Sequence, residues 1–539
     1  MTLPAHSINE TLFWFWIITT WTEQGNDMRN YARPIFTAAL AGAAMLMTQQ
    51  AMAANTLTWA NADVYKDIDP ASGYDLETLM LGNVYETLTF YKDGKVQPRL
   101  AVAWEKANGG KTWTVKLRSG VKFQDGSSFD SAAVKKSMLY TRDLGKGAAF
   151  LWSNLTDVET PDELTAVFQF SAPIAFDLVA SAQYGSYIIA PAAIDKGHDW
   201  MQAGNAIGTG PYKLSKFDPG KLAVLEKFDD YWGGWKPGQI DRVIQTTVFE
   251  PSTRVQMVKS QENVVTVVST SQMTSLEESE NVAIAAGTSW RNFFFPLNTQ
   301  KYPTDNLKFR QALTRLWNSD IIIENVWNGR ASRPVGPLPV TMWGHGTYEM
   351  PTYDPAEALR LLEESGVPKK DWKITAAYQT GRQEYADAME LFQQAAAEVG
   401  VEVELVPFQS QGTLNEKLRK LETSFNMTHN LWWPAYATPS DWLYSCYRTQ
   451  KNVSFNYSYY ANATFDSLVD EAMAAEGVDL KASAQDYVKA QDLLMKDAPA
   501  IFAADGERAY AYSSNIQGME SSLNPAYETL FVYDLSLKQ

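Results

Sequence analysis

Alternation of apolar and polar positions is clearest at 111–126, where KTWTVKLRSGVKFQDG places Trp113, Val115 and Leu117 two apart, breaks at Ser119-Gly120, resumes with Val121 and Phe123 and breaks again at Asp125-Gly126. Period two between turn residues predicts a β-hairpin. The next stretch, SFDSAAVKKSMLYTRD, changes period: Val134 and Met138 stand four apart behind Asp130 or Ser131, either of which suits a helix N-cap. Further on, DWKITAAYQT reads as a strand, EYADAMELFQQAAAEVG as a helix and VEVELVPF as a strand alternating Val401, Val403 and Leu405. Tyr385, Met389, Phe392, Ala396 and Val399 share one helical stripe that ends at Gly400, a C-cap residue. A helix between two such strands implies a parallel crossover. Upstream, DPAEALRLLEESG offers Asp354 as N-cap, Pro355 at the first helical position and Gly366 just past the end. The pattern is α/β, with mixed elements early and a clear α/β unit in the C-terminal half.

At 539 residues, 45% hydrophobic, the chain has apolar material for more than one core. Residues 28–53 set Arg29 and Arg33 before an apolar run, Ile35 to Met47, and then the small-x-small triplet Ala51-Met52-Ala53, which predicts a secretory signal peptide. The run is shorter than the roughly 20 residues a bilayer span needs. Met28 is a better start than Met1, so 1–27 is read as a start-site misassignment in preference to an anchor at 11–21, where Thr19, Thr20 and Thr22 interrupt the apolar run. Residues 1–53 hold Glu10, Glu23, Asp27, Arg29 and Arg33, so cleavage after Ala53 moves the net charge only from −16 to −15. Such an acidic chain is unsuited to nucleic acid or anionic membrane surfaces. The single Cys446 excludes an internal disulfide and lies too far from the leader to carry a lipid anchor.

A search for catalytic chemistry finds little. His198, His345 and His429 lie far apart, without metal-ligand spacing to one another or to Cys446, and read as structural histidines. GGKT at 109–112 lacks the first glycine of a phosphate loop, because Glu105 stands there, and reads as a hairpin turn. GNAIGTGPY reads as a loop entering a strand, and Asp67, Asp69 and Gly73 do not match a calcium loop. No metal, cofactor or enzymatic activity is expected. The aromatic residues say more. LWWPAYATPSDWLYSCYRT at 431–449 is denser in rings than a core helix requires and interposes Pro434 and Pro439, as a loop carrying Trp432, Trp433 and Tyr436 into a ligand cleft would.

Five segments, in order and spacing, resemble the peptide/nickel/opine solute-binding proteins of ABC importers, the family of the dipeptide- and oligopeptide-binding proteins. They are LGNVYETLTFYKDGKVQPRLAVAWE, WTVKLRSGVKFQDGSSFDSAAV, GTGPYKLSKFDPGKLAVLEKFDDYWGG, PLNTQKYPTDNLKFRQAL and WWPAYATP, and the resemblance covers essentially all of 55–539. It implies a three-lobed periplasmic-binding-protein fold of type II. Lobe I would comprise 54–92, 207–290 and 506–539, lobe II 93–206 and lobe III 291–505, with ligand enclosed between lobes I and III. It further implies a monomeric, periplasmic, non-enzymatic carrier that delivers a peptide or other small solute to two permease and two ATP-binding subunits. In peptide-binding members an acidic residue four places before the proline of W-x-x-D-x-x-x-P pairs with the peptide's α-ammonium. Here that position is Ala435, and Thr438 before the proline is also uncharged. A buried ammonium without a counter-charge is costly, so the resemblance leaves the ligand open between a peptide and an opine, sugar conjugate or oligosaccharide. Asp441 is a substitute carboxylate, although Thr438-Pro439-Ser440-Asp441 also reads as the first turn of a helix. Trp432 matches the family's cleft tryptophan, with Tyr65 and Tyr74 as further contacts on lobe I. Rival classes are a secreted glycan hydrolase, for which no motif speaks, and a periplasmic chaperone.

Overall fold

Thr56–Asn61, reading TLTWAN, buries Leu57 and Trp59 and takes a parallel neighbour on each side, Arg242–Thr247 and Val264–Val267. In the computed structural model, which describes residues 55–539 apart from 66, 75–77, 381–382, 528 and 539, these strands form the middle of the largest sheet. The leader expected at 28–53 and the segment 1–27 lie outside the described residues. The sheet runs in the order Asn430–Trp432, Val282–Pro296, Ala500–Ser513, Val264–Val267, Thr56–Asn61, Arg242–Thr247, Leu222–Lys227, Tyr212–Asp218, with Ala331–Ser332 also pairing Ala500–Ser513. Its two long strands, 282–296 and 500–513, pair antiparallel along their whole length, and the register breaks between Thr288 and Asn292. Such an irregularity bends and twists a strand pair locally.

A separate antiparallel sheet takes the order Ala101–Ala107, Thr112–Leu117, Thr165–Phe170, Leu155–Asp162. Here the expected 113–123 hairpin is corrected: Thr112–Leu117 pairs with 101–107 and 165–170, while 121–129 closes on itself through Phe123 N–H to Ser127 O and Phe129 N–H to Val121 O. Both turn glycines hold positive φ as read, but Val121 and Phe123 are drawn into the core, away from the first strand. GGKT is a hairpin turn, between 101–107 and 112–117. Helix Ser131–Leu144 is capped by Asp130, which accepts the Ala133 N–H.

The α/β unit is as read. Lys373–Gln379 and Glu402–Phe408 are parallel, joined by helix Gln383–Glu398, whose stripe from Tyr385 to Val399 is buried. Helix Pro355–Glu364 starts at Asp354, which accepts the Glu357 N–H. GNAIGTGPY is a loop entering strand Tyr212–Asp218, and its glycines answer to packing: a Cβ on Gly208 would lie 2.2 Å from the Val84 carbonyl oxygen. Glu86, fully buried close by, accepts from Arg99, Thr209, Tyr231 and Trp232. Among the described residues no helix is long and apolar enough to cross a membrane, and no cluster of metal-ligand side chains forms. Asp69 instead accepts from Ala71 N–H and Tyr140 and pairs with His198.

Candidate ligand cavity

Strand Asn430–Trp432 lies at the edge of the large sheet, with Trp432 opposite Asn292. Beyond it Pro434 cannot continue the ladder, and the chain turns into a loop that ends at helix Ser440–Cys446. That loop is tied down on one side by residues 183–184: Gln183 donates its backbone N–H to the Ala435 carbonyl (3.2 Å) and its side-chain amide to the Pro434 carbonyl (3.1 Å), and the Trp433 indole N–H donates to the Tyr184 hydroxyl (3.1 Å). Tyr184 packs edge-on against Tyr74, 5.0 Å between centroids, and Tyr74 against the half-exposed Phe150.

In front of the loop is a cavity of about 420 Å³ lined by Tyr74, Tyr184, Gln379, Tyr385, Gln411, Asn415, His429, Asn430, Leu431, Trp432, Trp433, Ala435, Phe455 and Tyr457. Trp432 meets Phe455 edge-on at 4.9 Å, and His429 stacks on Tyr385 at 4.0 Å while its Nε2 accepts the Gln379 N–H. Ring faces with amide and hydroxyl groups between them suit a ligand with flat or apolar parts and several hydrogen-bonding groups. A larger depression, about 540 Å³, gathers Arg315, Arg333, Lys496, Glu349 and Glu357 elsewhere on the surface. Two of its charges are already matched, Arg333 by Asp320 and Glu357 by Arg360, and none of the sequence candidates lines it.

Behind the loop stand two buried carboxylates. Asp441 accepts the backbone N–H of Ala435 and lies within reach of the Ser445 hydroxyl. Burial raises its pKa to about 7, against the Ala435 N–H and the Trp432 and Ser445 side chains, which favour the charged form. Glu476, from helix Ala463–Glu476, accepts from the Thr438 hydroxyl at 2.6 Å and from Tyr487. Burial raises it also to about 7, opposed by the hydroxyls of Thr438, Tyr487, Tyr436 and Ser440.

Four of the seven sequence candidates, Tyr74, Trp432, Trp433 and Ala435, therefore meet at one cavity. Tyr436 does not line it; its hydroxyl turns to the Glu476 side of the loop. Asp441 is not in the lining either, and its carboxylate reaches back to Ala435 instead of capping its own helix, while Thr438 accepts the Ser440 N–H in the manner of a cap. Tyr65 lies apart, its hydroxyl engaged by Asn61 (2.8 Å) and Gln245 on neighbouring strands, beside a small separate pocket. Sequence reasoning missed Tyr184, Gln379, Gln411, Asn415, Asn430, Leu431, Phe455 and Tyr457, and it read Tyr385 and His429 as structural. His429, Asn430 and Leu431, the three residues before the Trp pair, carried the one usable signal, their position in the chain.

Residues 95–454 match the family described as bacterial extracellular solute-binding proteins, family 5. The chain is 28% identical over 485 residues to the glutathione-binding protein GsiB of Pectobacterium atrosepticum, covering 88% of this chain and 93% of that one. Among solved structures it is similar to the periplasmic binding protein DppA of Helicobacter pylori in complex with the peptide STSA, at TM-score 0.76 and 23% identity over 90% of this chain and 98% of that one. It is likewise similar to the substrate-binding protein CtaP of Listeria monocytogenes, at TM-score 0.82 and 21% identity over 90% and 100%. These likenesses carry the type II periplasmic-binding-protein fold.

Proposed function

The chain belongs to the bacterial extracellular solute-binding proteins of family 5, and from that premise we propose that it is the solute-capture component of an ABC importer, taking up a short peptide or a glutathione-like compound. The observation that carries the reading is the cavity: about 420 Å³, within the range of small-molecule sites, with four aromatic-loop and lobe I candidates on its walls. The glutathione-binding protein GsiB as relative and DppA with its bound peptide as structural neighbour support a peptide-like solute.

On this reading lobe I is 54–92, 207–290 and 506–539, lobe II 93–206 and lobe III 291–505. Tyr74, Tyr184 and the 379–457 residues then bring all three to the ligand. Closure bends the paired strands 282–296 and 500–513 where their register breaks, a few residues absorbing the rotation. The ligand contacts are Trp432, Trp433 and Tyr74. Capture and release need no bond chemistry, so the protein is no enzyme, and energy comes from two ATP-binding subunits below two permease subunits. The leader at 28–53 delivers a monomer to the periplasm without a lipid anchor.

Native mass spectrometry of the protein from its own host, followed by denaturation, tests this. A set of short peptides, or glutathione, among the released masses is the expected result. A single opine-like or sugar-like mass would overturn the peptide assignment while keeping the carrier role, and a ligand-free protein that turns over a glycan would overturn both.

A further inference from the structure

We propose that Lys106 and Gly477 form a clasp between lobes II and III that closes around captured solute and sets how long the solute is held. This rests on the lobe division and solute-capture reading above. Neither residue lines the cavity. Gly477 ends helix Ala463–Glu476, and its backbone is ordinary right-handed helix, φ −75° and ψ −10°, where any residue fits. What demands glycine there is the neighbour: a Cβ would lie 2.5 Å from the carbonyl carbon and oxygen of Ile174, backbone atoms that no side-chain rotation moves aside. Gly110 backs the same seam, since its own Cβ would lie 2.6 Å from the Gly477 carbonyl oxygen, and its carbonyl accepts the Ile174 N–H at 3.2 Å. From strand Ala101–Ala107, Lys106 reaches over the seam and donates to the carbonyls of Val478 (2.8 Å) and Gly477 (3.5 Å). Carbonyls at a helix end lack intrahelical partners and carry the negative pole of the helix, so an ammonium stabilises them.

Lys106, Gly110 and Ile174 come from 93–206, and Gly477 and Val478 from 291–505. A second contact between the same two stretches lies at the cavity loop, where Gln183 holds the carbonyls of Pro434 and Ala435. The two contacts are joined through one side chain: Glu476, the residue before Gly477, accepts the Thr438 hydroxyl at 2.6 Å. A solute that draws the loop onto Gln183 therefore carries the end of helix 463–476 under Lys106. Backbone pressed on backbone, with no side chain between, fits at one lobe spacing only. That is what a closed-state lock needs and a hinge does not. Opening to release solute parts the seam, so its strength enters the dissociation rate and leaves association alone.

The experiment joins the two sides chemically. Lys106→Cys/Val478→Cys leaves Gly477 and Ile174 in place, and the native Cys446 is 2% exposed and does not compete, so a short bis-maleimide links the pair only while the seam is closed. Linking is followed by mass spectrometry in the full chain, with and without Gly477→Ala, and with trialanine or S-methylglutathione as probe. The expected result is slow linking without probe and about tenfold faster linking with a probe that native mass spectrometry shows bound. Adding Gly477→Ala should cut linking about tenfold while the melting temperature without probe equals that of the parent. Lys106→Met in otherwise native protein should release a bound probe about twofold to fivefold faster in stopped-flow fluorescence, with association unchanged. If neither probe binds, the peptide reading fails, and the comparison with Gly477→Ala still decides on the clasp. Linking that ignores Gly477→Ala or a bound probe, a release rate that ignores Lys106→Met, or a probe-free melting temperature lowered by Gly477→Ala, as in a permanent interface, would overturn the proposal.

Discussion

Glu476 offers a test of how the cavity loop is held. Its side chain is 8% exposed and accepts hydroxyl donors only, so ionisation puts an unpaired charge in the interior. The gap between about 7 in the fold and the ordinary 4.5, at 1.36 kcal/mol per pH unit, amounts to about 3 kcal/mol. The sign follows from the raised value: below about pH 4.5 the group is protonated folded and unfolded alike, and stability falls as pH rises toward 7, where the unfolded chain ionises freely and the folded one resists. Glu476→Gln imitates the protonated form. It should match the wild type near pH 4.5 and exceed it by up to about 3 kcal/mol at pH 8. Urea unfolding followed by tryptophan fluorescence at both pH values reads the difference, since surface carboxylates contribute equally to both proteins. A variant less stable than wild type at pH 8, or displaced equally at both pH values, would show that the carboxylate is stabilising as an anion and refute the argument.

Trp432→Ala should weaken binding of the solute recovered by mass spectrometry by roughly 1–3 kcal/mol and, because the ring is 9% exposed, also lower stability by about 3 kcal/mol or more; calorimetry with and without solute separates the two. Glu86→Ala should cost about 3–5 kcal/mol, since it strands the part-buried Arg99 and three further donors, and a urea midpoint unchanged from wild type would contradict this. Gly208→Ala should leave little folded protein, because its Cβ would press on the Val84 carbonyl, and normal soluble yield and circular dichroism would count against that packing.

Legibility in the sequence followed the range of the forces involved. The parallel unit at 373–408 could be read because its period, caps and crossover are local, and Asp130 and Asp354 cap where their side chains reach the next turn. The 113–123 hairpin was misread because a strand's period says which face is buried and nothing about which neighbour it joins; Thr112–Leu117 found partners at 101–107 and 165–170. The same limit governed the site. Trp432, Trp433 and Ala435 form one run of chain that composition singles out, but Tyr184, Gln379, Gln411, Phe455 and Tyr457 come from distant segments with ordinary local patterns. Tyr65, expected as a contact on lobe I, lies apart from these residues, its hydroxyl taken up by Asn61 and Gln245.

On the proposed function 432–441 serves as a ligand wall because its backbone is held by partners outside the cavity lining, while only the Trp433 indole bonds to a lining group, the Tyr184 hydroxyl. The strand pairing of Trp432 is spent on Asn292, the carbonyls of Pro434 and Ala435 on Gln183, the N–H of Ala435 on Asp441, and the hydroxyls beyond it on Glu476. The backbone is thereby fixed without drawing on the ring faces in front, which stay available for a solute, and little ordering entropy remains to be lost when one binds.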